Sequence, residues 1–319
     1  MPRLNATTLS GELLQRGYIY SELILERRYK QYLSPNGKFL FTKGAHYNYP
    51  FISRDVYEMS KDKLRSYEFA QLHDVAIPAT LHTSDLDRAK PFLARHKRVV
   101  VKPFDGSASK GLTVDVTTDI QLEQALHAAT FDDKAPLVQE QFIGEEIRLT
   151  ALDGVVRSVI LRQTPRVVGD GSSSISELIA VENEDRQNLQ FPFISYPQLD
   201  AVNIPEHLLR SKQIPAHGEI IELSKTTMIR HGASFYGVTD QVHPSYVQIA
   251  EHLVSQLNAP MLVVDLMVKD YTHQASDNNY IFLEFNTAPH LEIYSLLRSG
   301  DQPDIIRMLA DMVDAYALK

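Results

Sequence analysis

The sequence predicts an α+β protein built largely from antiparallel hairpins, and three observations carry that prediction. Two apolar stretches, residues 260–268 and 279–290, are separated by the polar run 269–278, as two strands and their connection would be. The tight-turn pair Asp153-Gly154 divides a second hairpin expected over 149–168. Helical patterns at 60–73, 118–129, 175–184, 244–258 and 304–316 do not alternate regularly with strands, which argues against a doubly wound parallel sheet.

In chain order, residues 1–58 carry a helical pattern through Leu9, Leu13 and Leu14. Short β-like pieces follow around Tyr18–Tyr20, Phe39–Phe41 and Phe51–Ile52, with turn signals at Ser34–Gly37 and Lys43-Gly44. This unit is expected to be a small cap. Ser60 suits the N-cap of a helix to His73, whose Leu64, Phe69 and Leu72 fall in phase, and Ile77-Pro78 ends it. Arg98–Pro103 reads as a short strand stopped by proline, Asp105–Gly111 as a loop and Leu112–Val116 as the returning strand. In the next helix Ile120, Leu122, Ala125 and Leu126 share the expected apolar side. Gly169–Ser174 feeds the helix beginning at Ile175. The proline-punctuated stretch 188–218 predicts no regular element. Glu219–Leu223 reads as a strand, Lys225–Gly237 as a polar loop, and Pro244 opens an amphipathic helix.

Composition narrows the class. The 319 residues can bury a substantial core, and 44% hydrophobic with 23% charged residues is ordinary for a globular protein. A formal net charge of −8 and the lack of a long basic run argue against general nucleic-acid binding. With no cysteine, disulfides, thiolate metal sites and a thiol nucleophile are excluded. No stretch approaches a membrane span and no leader follows Met1, so a cytoplasmic protein without membrane contact is expected.

Chemistry concentrates in a few places. Asp265, Glu284 and Asn286 sit in the two apolar C-terminal strands, and Glu284 and Asn286, two apart, point to one face. Buried carboxylates require partners, which leaves a salt-bridged or water-filled sheet position and a three-oxygen cradle for Mg²⁺ as the alternatives. Lys102, at a strand end, precedes a loop bounded by Gly106 and Gly111 and containing Ser107. Such a loop is either a hairpin connection or a phosphate-wrapping one. Glu140, Gln141, Phe142 and Ile143 lead to Glu146 and Arg148, either as an exposed charged turn or as a backbone edge for a planar base with ribose and phosphate groups beyond it. Arg148, Arg162 and Arg166 flank the hairpin, and Arg148 with Arg162 would suit an anion if their strands face each other; a solvated sheet face is the alternative. Lys225 and Arg230 add positive charge beside Gly232. The twelve histidines form no zinc pattern, with His290 set apart by following the second strand directly. No serine lies in a Gly-x-Ser-x-Gly elbow.

Taken in order, these pieces resemble the ATP-grasp ligases, in particular the ligase module of cyanophycin synthetases and of bifunctional glutathione synthetases. The residues that carry the resemblance are Ser60–Lys63 and Ile77-Pro78, the strand ending Lys102-Pro103 with its loop, Gly144-x-Glu146-x-Arg148 and Arg162 before Val167–Gly171. Ile175–Ile179, Val238–Pro244, Asp265 and Glu284–Pro289 complete the order. The resemblance implies an ATP-grasp fold with two α+β subdomains clamping ATP: a cap over 1–58, a lid subdomain over 59–140 and a large subdomain over 141–319. It implies that Lys63 and Lys102 contact phosphates, that the loop with Gly106, Ser107 and Gly111 closes over them, and that adenine lies along Glu140–Ile143. Glu146 would hold ribose, while Asp265, Glu284 and Asn286 would bind two Mg²⁺ ions, with Mn²⁺ as an alternative. Arg162 and Arg148 would steady the γ-phosphate and the acyl phosphate, with Lys225 as a further catalytic residue. The implied activity is an ADP-forming carboxylate–amine ligase with small amino-acid substrates, acting as a homodimer. A glutathione-like or aspartyl/glutamyl-polymer ligase and a non-catalytic ATP-binding module are the alternatives. Ser109-Lys110-Gly111 departs from relatives that carry a further glycine and an arginine there. The stretch His290–Tyr294 lies where relatives differ among themselves. Neither a glutamate–cysteine ligase half nor a Mur-ligase half accompanies the module, so a stand-alone ligase is expected.

Overall fold

The computed structural model describes residues 4–24, 28–43, 46–49, 51–104, 111–131, 134–189 and 196–318. Helix α1 (Leu4–Gln15) leads into an antiparallel sheet of β1 (Ile19–Ile24), β2 (Arg28–Leu33), β3 (Phe39–Lys43) and β4 (His46–Asn48), paired in that order. The expected strand at Phe51–Ile52 is instead a turn entering α2 (Arg54–Met59), which Ser53 caps. Ser60 closes α2 rather than opening the next helix. Asp62, two residues on, accepts the Arg65 N–H and caps α3 (Lys63–Leu72).

A second sheet has the order β5-β8-β6-β7, from β5 (Thr80–His82), β6 (Val99–Lys102), β7 (Thr113–Val116) and β8 (Leu137–Glu140). Helices α4 (Leu86–His96) and α5 (Asp119–Ala129) cover it, burying Ala89, Leu93, Val99, Val101, Leu122, Ala125 and Leu126 in one cluster. Ile120, expected inward, is 70% exposed. The buried stripe of α5 runs through Leu122, Ala125, Leu126 and Ala129 instead, at the spacing of successive helical turns.

The largest sheet is antiparallel, with order β13-β10-β9-β14-β15. Strands β9 (Glu145–Leu152) and β10 (Val155–Gln163) form the hairpin at Asp153-Gly154, both with positive φ as a tight turn requires. A lobe of β11 (Arg166–Val168), α6 (Ile175–Asn188), α7 (Glu206–Leu209) and β12 (Ile220–Glu222) follows, with its own small cluster of Val167, Ile175, Ile179, Leu199, Ile204 and Leu223. Strand β13 (Ser234–Gly237) lies within the stretch expected as a polar loop. Its four residues join the sheet edge because Phe235 is wholly buried. Helix α8 (Pro244–Leu257) then leads to β14 (Met261–Val268), β15 (Tyr280–Asn286) and α9 (Ile305–Leu318).

The two faces of this sheet differ. Ile147, Leu149, Leu262, Val264 and Leu266 pack on Tyr246, Ala250 and Leu253 of α8. On the opposite face, Leu152, Ile160, Met261 and Phe235 join Leu9 and Leu13 of α1 and Leu309 and Val313 of α9. The expected N-terminal cap therefore shares its core with the C-terminal helix, and Arg16 fixes the pairing by ion pairs to Asp311 and Asp314 at 2.7 and 2.6 Å. Among the described residues, no helix is long and apolar enough to cross a membrane. Because Leu13 is fully buried, Leu13→Ala should destabilise the protein by about 2–5 kcal/mol in urea unfolding. A loss below about 1 kcal/mol would mean that α1 does not dock on α9 as described.

Candidate active site

The polar end of the large sheet collects charge on one face. Glu146 and Arg148 stand two apart on β9; Arg162 on β10 lies opposite Glu146, and Asp265 on β14 lies opposite Arg148. On β15, Glu284 pairs with Asp265, and Asn286 follows on the same face opposite Val263. Strand pairing alone thus brings six of the expected site residues onto one surface.

Arg148 grips Asp265 in a two-pronged pair, Nε donating to Oδ1 at 2.8 Å and Nη2 to Oδ2 at 2.7 Å. Both side chains are nearly inaccessible, at 9% and 2% exposure. Burial would raise the Asp265 carboxyl, but the charge and hydrogen bonds of Arg148, helped by Arg162, hold it below the usual carboxylate range. Arg148 responds in kind: burial would lower it, and the Asp265 charge drives it above the ordinary arginine value. Arg162 donates through Nη1 to Glu146 Oε1 and through Nη2 to the Thr227 carbonyl at 3.2 Å, while its Nη1 lies 3.7 Å from Asp265 Oδ2. The Thr227 hydroxyl donates to Glu146 Oε2. Burial pushes the Glu146 carboxyl up against the pull of Arg162, and the Asp265 charge adds to the rise. Among the described residues the buried Nε of Arg162 has no hydrogen-bond partner.

The remaining oxygens are less committed. Glu284 is half-buried and forms no hydrogen bond or ion pair among the described residues, whereas Asn286 Oδ1 accepts the Ala288 N–H at 2.8 Å. The described residues contain no group of three His, Cys, Asp or Glu side chains arranged for a metal. A site here therefore rests on two carboxylates and an amide, the hard-oxygen set that suits Mg²⁺. Asp265 gives both oxygens to Arg148 yet keeps further lone pairs, since a carboxylate can accept about four hydrogen bonds or ligands. Donor chemistry and the free Glu284 carboxylate are compatible with a hard divalent cation.

The other expected residues lie on other elements. Lys102 donates to Tyr67 OH at 2.8 Å and lies 5.5 Å from the ring centre, with no carboxylate partner among the described residues. Lys63 is the first residue of α3. Residues 105–110, with Gly106 and Ser107, lie outside the described residues. Gly111 follows at φ +74°, where a Cβ would meet the Phe131 ring at 2.8 Å. Glu140 ends β8, exposed, 3.6 Å from His96. Gln141 embraces Asp115, accepting its N–H at 2.7 Å and donating to its Oδ1 at 2.9 Å. Phe142 lies under Lys269, and Ile143 is exposed. At Gly144 a Cβ would sit 2.3 Å from the Val268 carbonyl oxygen, so only glycine lets the connection from β8 cross the end of β14.

Lys225 is brought not to the arginines but to Glu222, at 2.5 Å, and to Asp115 across the gap to the smaller sheet, at 3.5 Å. Glu222 holds its ammonium above the usual lysine range. Arg166 pairs with Glu145 instead of joining Arg148. Three contributors escaped sequence reading: Thr227, Tyr67, and Tyr294, which is buried with its hydroxyl 2.7 Å from Thr150 Oγ1. None stands in a spacing pattern, so only the folded arrangement exposes them.

The buried pair gives a testable consequence with a defined sign. Asp265→Asn leaves a guanidinium without its charge partner and should cost about 3–5 kcal/mol of stability near neutral pH. Because the folded carboxyl is depressed, the stabilisation is present above the unfolded-state value of about 4 and is lost as pH falls through the lower folded value. Urea unfolding should therefore show the wild-type advantage narrowing on acidification; an advantage that widens would contradict the assignment.

Comparisons with known proteins agree with this architecture. The family model described as prokaryotic glutathione synthetase, ATP-grasp domain, matches residues 62–189. The glutathione biosynthesis bifunctional protein GshAB of Pasteurella multocida is 25% identical over 96% of this chain and 42% of its own length. A cyanophycin synthetase of Trichormus variabilis is 25% identical over 72% of this chain and 26% of its own. The chain thus spans less than half the length of these relatives. The crystal structure of a bifunctional glutathione synthetase from Pasteurella multocida superposes with a TM-score of 0.65 at 21% identity, covering 98% of this chain and 44% of that one. That likeness establishes a common fold across nearly all of the chain. The matched domain model shows an ATP-grasp domain over residues 62–189, and the relatives and the shared fold extend that likeness along most of the chain.

Proposed function

We propose that the chain is an ADP-forming ligase that activates a carboxylate with ATP and joins it to an amine, with amino acids as substrates and a small peptide or amide as product. The observation that carries this reading is the charged sheet face. Buried Arg148 and half-buried Arg162, whose Nε–H is unpaired among the described residues, share one sheet face with Glu284, a half-buried carboxylate without a partner among them. The relatives' names, glutathione biosynthesis and cyanophycin synthesis, support amino-acid substrates.

A carboxylate is a poor acyl donor because substitution would expel oxide. In the proposed reaction its oxygen attacks the γ-phosphorus of ATP, the bond to the bridging oxygen breaks, and ADP leaves. The amine then attacks the carbonyl carbon of the acyl phosphate, loses a proton, and expels phosphate with the bonding pair. Such chemistry needs positioning and charge more than a protein nucleophile. Arg148, fixed by Asp265, would supply a permanent cation that needs no reorganisation. Arg162 would offer Nε–H to a phosphoryl oxygen, and Lys102 and Lys63 would add charge from the other side. Asp265, Glu284 and Asn286 would hold Mg²⁺, in our reading two ions. When bound, the metal supplies neutralisation of phosphate charge. Adenine would lie along Glu140–Ile143 and ribose at Glu146. Lys225, tied to Glu222 and Asp115, we assign to joining the two sides of the site. Residues 59–140 would form the lid, 141–319 the large subdomain and 1–58 the cap, in a cytoplasmic homodimer.

Incubation with Mg²⁺, ATP and pairs of amino acids should release ADP only when an accepted pair is present, with the product's mass equal to the pair less water. ATP binding without substrate-dependent ADP from any pair would contradict the ligase reading. Glu284→Gln should cut Mg²⁺-dependent turnover at least about 100-fold, the scale seen when charge stabilisation is removed from a transition state, while the circular dichroism spectrum persists. Near-normal turnover would move the metal elsewhere. Lys102→Ala should raise the KM for ATP; a change confined to amino-acid selectivity would contradict its place at the phosphates.

A further inference from the structure

The loop between β12 and β13 delivers one residue to both members of a charged pair. Thr227 accepts from Arg162 Nη2 through its carbonyl, at 3.2 Å, and donates through its hydroxyl to Glu146 Oε2. Arg162 Nη1 bonds the other Glu146 oxygen. Three residues from three separate segments thus close a ring of hydrogen bonds, in which Glu146 has both oxygens engaged and Arg162 keeps a buried Nε that is unpaired among the described residues. The loop itself is braced: Thr226 Oγ1 lies 2.8 Å from His231 Nδ1, across the single 3₁₀ turn Ile229–His231. Thr227 is half-buried, and its main chain and side chain do different work on different partners.

We infer that Thr227 is a positioning residue, fixing Glu146 and Arg162 relative to each other so that the pair receives nucleotide without first rearranging. This inference deepens the proposed ATP site and rests on it. Without the hydroxyl, a buried carboxylate whose acidity is already weakened by burial loses a donor to one oxygen, the one hydrogen bond to that oxygen among the described residues. The carbonyl contact survives any side-chain change, so the effect of a substitution reports on the hydroxyl alone.

The test is calorimetric titration of wild type and variants with MgATP, which needs no knowledge of the amino-acid substrates. Thr227→Val keeps the shape and loses the hydroxyl, and its Kd for MgATP should rise about tenfold, as expected for a hydrogen bond to a charged group. Thr227→Ser should bind within about twofold of wild type, because it restores the donor. In a Glu146→Gln background the Val substitution should add less than about twofold, since its partner charge is already gone. Thermal unfolding is followed in parallel, and if the Val variant does not fold, Thr227→Ala makes the same comparison with less bulk. Wild-type affinity in the hydroxyl-free variant, or Ser as weak as Val, would overturn the inference while leaving the nucleotide site standing. A wild-type chain that takes up no MgATP would overturn that site and this inference with it.

Discussion

The arrangement depends on a charge pair placed where charge is costly. Arg148 and Asp265 are buried in the middle of an antiparallel sheet, and their two hydrogen bonds offset a desolvation that neither would bear alone. A well-packed apolar pair at the same positions would be at least as stable. The pair is therefore best understood as a cost of holding a fixed cation on the sheet surface. Around it, strand register sets everything else: Glu146 is two residues from Arg148, Arg162 lies across from Glu146, and Glu284 lies across from Asp265.

Register also explains why the site stays polar while its surroundings do not. Successive residues of β9 alternate between α8 and the charged face, so Ile147 and Leu149 enter the core while Glu146 and Arg148 do not. Farther along the same face, Leu152 and Met261 meet the core that α1 and α9 share. Apolar packing thus ends where the charges begin. The β5-β8-β6-β7 sheet meets the rest of the fold through Lys102 on Tyr67 and through Asp115, on which Arg98, Gln141 and Lys225 converge.

Much of this was legible in the sequence because it is periodic. The hairpin at Asp153-Gly154, the two C-terminal strands and the helices with strong apolar stripes follow from local patterns that their own turns and caps reinforce. Asp265, Glu284 and Asn286 stood out because polar oxygen-bearing side chains in an apolar strand are anomalous on their face. What escaped has physical reasons. Strand β13 has only four residues, too few for a period to declare itself, and it exists because β10 offers an edge. Helix α4 carries Pro91 in its interior, a residue that reads as a helix breaker, so its stability comes from packing against the β5-β8-β6-β7 sheet and from its Asp85 cap. Ser60 was an equally good cap by residue type; the backbone chose Asp62 because α2 ends at Met59. Thr227 could not be found from spacing, since its partners lie 65 and 81 residues away.

This charged face would receive the phosphates of a metal-bound nucleotide. A crystal structure of the protein with Mn²⁺ and a non-hydrolysable ATP analogue tests it most directly, because manganese marks its own position by anomalous scattering. A manganese peak is expected within coordinating distance of Glu284 and Asn286, beside Asp265, with the triphosphate against Arg148 and Arg162. Manganese and triphosphate bound elsewhere, with the Arg148–Asp265 face untouched, would contradict it.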